Sequence, residues 1–387
     1  MTQPLQLVRP DGSLYPYAPA RDPLAPVTRG PFATRIAFAA AHVVVDPLRT
    51  AHPLSHPVLD WDATLAYREY LWSLGFGVAE AMDTAQRGMG LDWPLALELI
   101  QRSTAAANAR GALLFNGAGT DHLPASTFHS LDDVARAYLH QCEAIEAAGG
   151  RIILMASRAL AAIARHADDY ASVYARVLAQ ISQPVILHWL GPMFDPALAG
   201  YWGSPSIPPA TQNCLSIIRA HAAKIDGIKI SLLDAELEIS MRAQLPPHVR
   251  MYTGDDFNYD RLILGDSAAH SDALLGIFDA IAPAASLALT ALDAGDVPLY
   301  HRLLAPTVPL SRHIFATPTQ HYKTGVVFLA FLNGFQSHFR MVGGAESARS
   351  IPHLCELFTL AGQAGVLRDP SLAAHRMRAF LALAGVA

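Results

Sequence analysis

The sequence predicts a parallel (β/α)8 barrel of the TIM type, with an N-terminal arm and a C-terminal helical extension. Three observations carry that expectation: eight short apolar runs recur along the chain, segments of helical period lie between them, and no G-x-G-x-x-G follows the first run. Strand and helix alternating eight times favours a closed barrel. An open doubly wound sheet is the second choice, but "NGAGTDH" from Asn116 has neither the dinucleotide-binding spacing nor a helix start.

Taken in order, residues 1–34 are rich in proline and hold one "PDG" turn between short extended pieces, which predicts a small hairpin or arm. The strand candidates then follow over 35–295. They are "RIAFAAAHVVV" from Arg35, "GFGVAEAM" from Gly75, "ALLFNGAG" from Ala112, "RIILMAS" from Arg151, "PVILHWL" from Pro184, "GIKISLL" from Gly227, "VRMYTGDD" from Val249 and "DALLGIFDAIA" from Asp272. Between them lie "DWPLALELIQRSTAAANAR", "SLDDVARAYLHQCEAIEAAGG" and "NCLSIIRAHAAKID", apolar every third or fourth residue and bounded by Ser, Asp or Gly. Residues 296–387 read as helical throughout, in "VPLYHRLL", "HYKTGVVFLAFLNGFQSHFRMVG", "IPHLCELFTLAGQAG" and "PSLAAHRMRAFLALAG". Their apolar faces exceed what a lone helix needs. The face in "FLAFLNGFQSHF" therefore predicts cover by the barrel or by a partner subunit, and with it a homo-oligomer.

With 387 residues, 52% of them hydrophobic, the chain can bury a large core. A net charge of −5 without runs of Lys or Arg gives no footprint for nucleic acid or an anionic membrane. The first residues lack a basic stretch followed by an apolar one, and no segment reads as a membrane span, so a cytoplasmic protein is expected. Cys142, Cys214 and Cys355 show no paired spacing; buried, reduced thiols are expected. A small soluble ligand is the partner this composition suits.

In a parallel barrel, chemistry sits where the strands end. The polar residues there are His42 and Asp46; Glu80, Asp83 and Thr84; Asn116, Thr120, Asp121 and His122; Ser157 and Arg158; His188; Lys229; and Thr253, Asp255 and Asp256. Lys229 is the sharpest of these. Either face of a strand such as "GIKISLL" is apolar, and desolvation there lowers an amine's pKa until the neutral form can attack a carbonyl. A lysine reaching out at the strand end, or paired with Asp226, is the competing reading.

"GIKISLLDAELEI", then "VRMYTGDDFNY", then the stretch from Gly265 through "DAGDVPLYHRLL" resemble the second half of the dihydrodipicolinate synthase and N-acetylneuraminate lyase family. "PVILHWLGP" is similar to that family's fifth strand, and "GLDWPLALELI" to the helix after its second. The likeness spans roughly residues 35 to 305 and is better from Pro184 onward. It implies a (β/α)8 barrel, with Lys229 on the family's Schiff-base lysine, Gly254 and Asp255 on its seventh-strand turn, and Gly276 on its eighth-strand glycine.

Two departures change the expected substrate. His188 stands where the family has a proton-relaying tyrosine, and an imidazole can do the same acid-base work. The family's "GTTGE" loop, which holds a pyruvate carboxylate, is replaced by "EAMDTAQRG"; Glu80 and Asp83 repel a carboxylate, which argues against pyruvate, and Thr84 is the remaining hydroxyl. Acids, amides and imidazoles suit vicinal hydroxyls. The expectation is thus a lyase or aldolase, or a related dehydratase, acting on a sugar-derived keto compound. It needs no cofactor. Lys229 is its nucleophile and His188 its proton shuttle, with Asp255, Glu80, Asp83, Thr84, Asn116, Arg158, Gly254 and Gly276 around the substrate. A second expectation is a metal-dependent sugar isomerase, epimerase or hydrolase using His42, Asp46, Glu80, His122 and His188 as ligands. A third is a non-catalytic sugar-binding barrel, which an exposed Lys229 would favour.

Overall fold

The computed structural model describes residues 5–18, 21–124 and 130–386. An antiparallel hairpin comes first, β1 (Gln6–Val8) with β2 (Leu14–Pro16). Eight strands follow: β3 (Ala37–Ala40), β4 (Gly77–Glu80), β5 (Leu114–Ala118), β6 (Arg151–Leu154), β7 (Val185–Leu190), β8 (Ile225–Ser231), β9 (Arg250–Thr253) and β10 (Asp272–Leu275). They close in the order β10-β3-β4-β5-β6-β7-β8-β9, with every neighbouring pair parallel. The expected TIM barrel is therefore the fold; seven of its strands lie within the runs that predicted them, and β8 begins at Ile225, two residues before its run.

Packing groups the described residues into two compact units. One holds residues 35–41 and 77–275, and with them all eight barrel strands. Its strands are buried on both faces, which is why they read as nearly continuous apolar runs. Phe38, Ala40, Ala79, Met82, Phe115, Ile153, Ile186, Tyr252 and Leu274 fill the barrel interior. Phe38 meets Phe115 and Tyr252 edge-on, with ring centroids 5.4 and 5.9 Å apart. Tyr252 points toward the strands' N-terminal ends, where its hydroxyl donates to Asp226 Oδ2 at 2.6 Å and Arg151 and Arg250 approach the same carboxylate. Gly227 makes room for that ring: a Cβ there would lie 2.6 Å from it. The Asp226-Gly227 pair thus serves the N-terminal end of the barrel.

Between β8 and β9, the helix Ala235–Arg242 buries Glu238, whose Oε1 accepts from Ser271 Oγ at 2.7 Å. Burial pushes this carboxyl up from 4.5 to about 8. The folded chain then keeps a proton that the unfolded chain releases above pH 4.5. The associated stability is fully present below pH 4.5 and is lost as the pH rises to about 8, a swing on the order of 5 kcal/mol. Glu238→Gln keeps the shape without the charge, so urea unfolding at pH 5 and pH 9 should differ less in the variant than in the native protein; an equal difference would contradict the buried proton.

The other unit takes the described residues up to Thr34, His42–Phe76 and those from Gly276 onward. The helices after β3 (Trp61–Ser73) and after β10 (Ala282–Asp293) therefore pack with the arm and the C-terminal helices, so these units do not follow the sequence segments 1–34, 35–295 and 296–387. Hydrogen bonds account for the grouping. Arg29 N donates to Ser73 O at 2.9 Å, Ser286 Oγ to Leu74 O at 2.8 Å, and Asp293 accepts from Arg29 and Thr34. The "PDG" turn closes the hairpin as expected, with Gly12 left-handed at φ 82° and Ser13 N bonded to Asp11 Oδ1. Tyr15 and Tyr17 seat the hairpin on the helix Ile351–Ala364, through Thr359 and Phe358.

The apolar stretch "FLAFL" falls in the helix Tyr322–Leu332, which is buried at every position. Its partners are in the chain itself: Phe328 and Phe331 pack with Phe339, and Phe328 with Phe380. That face was the argument for a partner subunit, and intrachain packing removes the argument. Among the described residues no helix is long and apolar enough to cross a membrane, and the three cysteines are unpaired and buried.

Candidate active site

Lys229 lies on β8 in register with His188 on β7 and Tyr252 on β9. Tyr252 and Ile186 belong to the barrel core, so the alternation along each strand turns Lys229, His188 and Ser231 to the inside as well. The backbone confirms this arrangement. Gly254 N donates to Ile230 O at 2.8 Å, and a Cβ on Gly254 would lie 2.3 Å from Ser231 Oγ and 2.7 Å from Lys229 Cε. Glycine is needed at this turn because the lysine stem passes against it.

Both groups are nearly sealed, with 8% of Lys229 and 2% of His188 exposed. Burial lowers the Lys229 pKa, while Asp256 and then Asp83 act to raise it. Burial, together with the neighbouring Lys229, holds the His188 imidazole well below its usual range. His188 is accordingly a neutral base near pH 7, with Nε2 3.5 Å from Ser231 Oγ. An amine eased toward neutrality, a neutral imidazole on the next strand and two nearby carboxylates make a site fit for addition to a carbonyl and for proton transfer.

The loop after β4 brings Asp83. Ala81 takes a left-handed φ of 52°, the 3-10 turn Asp83–Ala85 follows, and Gln86 is left-handed again at 63°. Thr84 is buried in the same turn. Arg87 ties this loop down: its guanidinium donates to Asp121 Oδ2 at 2.7 Å and Oδ1 at 2.8 Å, to Gln141 Oε1 at 2.7 Å, and to the carbonyls of Gly117 at 3.0 Å and Ala81 at 3.2 Å. After β5 and β6, the Thr120 and Ser157 hydroxyls meet at 2.6 Å, and Ser157 N donates to the Tyr201 hydroxyl.

Several expected substrate contacts are placed otherwise. Asp255 spends its carboxylate within its own turn, accepting from Phe257 N at 2.8 Å, Asn258 N at 3.1 Å and Asn258 Nδ2 at 2.8 Å; its neighbour Asp256 is the acid that acts on Lys229. Asn116 lies between the inward Phe115 and Gly117, faces the helices, and donates to Arg151 O at 3.2 Å. Glu80, its register partner, shares that outward parity and accepts from Ala81 N at 2.9 Å. Arg158 opens a short helix, half exposed, and bonds to Asp195 and Gly88 O. Gly276 follows β10 with an ordinary helical φ of −68° and belongs to the other compact unit. Period-two alternation would have exposed Glu80 and Asn116 as outward, and would have added Ser231, two residues beyond Lys229. Nothing in the sequence singles out Arg87.

The expected metal ligands are not brought together. His42 Nδ1 lies 2.8 Å from Asp279 Oδ2, Asp46 caps the Leu48 and Arg49 amides, and His122 Nδ1 is held by Gln141 Nε2 at 2.7 Å. Among the described residues no three His, Cys, Asp or Glu side chains are grouped to hold a metal ion.

The family model described as "Protein of unknown function (DUF993)" matches residues 5–386. The chain belongs to this family. No curated protein matches this DUF993 chain. Solved structures do match it. A dihydrodipicolinic acid synthase family prophage protein from E. coli K12, in complex with pyruvate, is similar with a TM-score of 0.66 at 15% identity, over 86% of this chain and 99% of that one. The chloride-inhibited dihydrodipicolinate synthase of Acinetobacter baumannii, also with pyruvate, gives 0.63 at 15%, over 86% and 100%. A putative dihydrodipicolinate synthetase from Pseudomonas aeruginosa gives 0.62 at 15%, over 84% and 99%. Likeness at this identity is likeness of fold, and as such it agrees with the resemblance read in the sequence.

Proposed function

We propose that this DUF993 protein is a Schiff-base-forming lyase or aldolase acting on an uncharged, sugar-derived keto compound. The observation that carries the reading is Lys229 itself, an amine turned into the barrel beside His188 and relieved of part of its basicity by burial. Its Nζ lone pair adds to the substrate carbonyl, whose oxygen takes a proton; loss of water then leaves an iminium. His188 accepts the proton of the β-hydroxyl as the carbon–carbon bond breaks, and the bonding pair moves into the iminium to form an enamine. The imidazolium returns that proton to the enamine carbon, and water releases the ketone and restores Lys229.

The charge of the site supports an uncharged substrate. Asp83 and Asp256 act on Lys229, whereas the nearby arginines, Arg87 and Arg158, are committed to Asp121 and Asp195. A carboxylate entering there meets acids. The near-complete burial of Lys229 argues against the non-catalytic reading, in which the lysine would lie in water.

Borohydride trapping tests this. The protein is incubated with hydroxyacetone, dihydroxyacetone, longer keto-sugars and pyruvate, reduced, and analysed by intact mass and peptide mapping. An adduct on Lys229 with an uncharged ketone, formed in preference to pyruvate, is expected. Absence of any adduct across the panel would rule the Schiff-base reading out.

A further inference from the structure

We propose that Arg87 is a positioning residue, which sets the Asp83 carboxylate beside the Lys229 amine by pinning the loop after β4. The inference rests on geometry. Only three residues separate Asp83 from Arg87, and the chain is left-handed at both Ala81 and Gln86, so the acid's place depends on what anchors the loop's far end. That anchor is unusually complete. All three guanidinium nitrogens are used, and their acceptors come from three places: the loop's own Ala81 carbonyl, Gly117 and Asp121 at and beyond the end of β5, and Gln141 on the helix Leu131–Ala147. Gln141 is held in turn by Gly119 N at 2.7 Å, and its Nε2 reaches Asp121 Oδ1 at 3.0 Å.

The clamp is also shielded from water. The Arg87 side chain is 3% exposed, and its guanidinium lies over the Trp93 ring at 5.0 Å. Against the burial that raises it, Arg87 holds the Asp121 carboxyl below its usual range, so the pair stays ionic. Lysine cannot replace this residue, because one ammonium cannot reach a carboxylate, an amide oxygen and two carbonyls in fixed directions.

Arg87 and Asp83 have opposite charges, so a shared test separates positioning from other roles. The groups that bear on the Lys229 amine are His188 from β7, Asp256 after β9 and Asp83 after β4. Trace labelling with acetic anhydride across pH, read at Lys229 by peptide mass spectrometry, gives the amine's midpoint without any substrate. The clamp and the Schiff-base reading can therefore fail separately: borohydride trapping tests the second, and this titration the first.

Asp83→Asn should lower the midpoint by roughly half to one pH unit. Arg87→Lys should lower it too, although charge is retained, and should add nothing when combined with Asp83→Asn. Asp121→Asn loosens the clamp from outside the loop and should shift the midpoint the same way, which keeps the test open if an Arg87 variant fails to fold. Arg87→Met with a raised midpoint would mean that Arg87 acts only as a nearby positive charge. Unchanged midpoints with lowered melting temperatures would mean that it only stabilises the fold. Either result overturns the proposal.

Discussion

Lys229→Met is expected to give no borohydride-reducible adduct with any ketone and to lose turnover by about three orders of magnitude or more, the scale seen when a covalent nucleophile is removed. Methionine keeps the unbranched stem and approximate volume of lysine, so the packing against Gly254 survives. Circular dichroism and a thermal melt will establish that the barrel is intact before the loss is read as chemical. In the native protein, the trapping rate should climb with pH as the ammonium loses its proton and should level off below 10.5, because burial lowers this pKa even with Asp256 and Asp83 opposing. An adduct in the variant, or one mapped to another lysine, would remove Lys229 from the mechanism.

His188→Gln should separate two steps that Lys229→Met abolishes together. Glutamine keeps a hydrogen-bonding group near Ser231 but accepts no proton at neutral pH, so kcat should fall by about 10²- to 10⁴-fold. The imine should still form, since Lys229 is untouched; the trapped adduct should persist and even accumulate. Single-turnover trapping against steady-state product release measures the split. Equal losses in both would show that His188 is needed to make the imine, and its assignment as the shuttle in bond cleavage would fall.

The strand runs were legible because burial on both faces of a parallel barrel leaves eight dense apolar segments, each near its true place in the chain. Lys229 was legible for the same reason, as a charge where only apolar residues belong. His188 followed from its position in "PVILHWL", one strand earlier. The substrate contacts were harder to read. A residue near the end of a strand looks alike in sequence whether it faces the barrel or the helices, and Glu80 and Asn116 turned outward. In "GDD", Asp255 and Asp256 are adjacent and chemically identical, yet one is consumed capping its turn while the other bears on the lysine.

The sequence by itself determined the periodicities, and through them the eight-stranded barrel, its N-terminal hairpin and the one lysine out of place. Those features depend on local alternation and on which residues water rejects. Tertiary structure alone decided which acids stand near that lysine, how Arg87 ties its own loop to the end of β5 and to the helix that carries Gln141, and that the most apolar C-terminal helix is covered by its own chain. Contacts between residues far apart in sequence leave no periodic trace, because they are fixed by strand register and by the directions in which side chains leave a closed sheet.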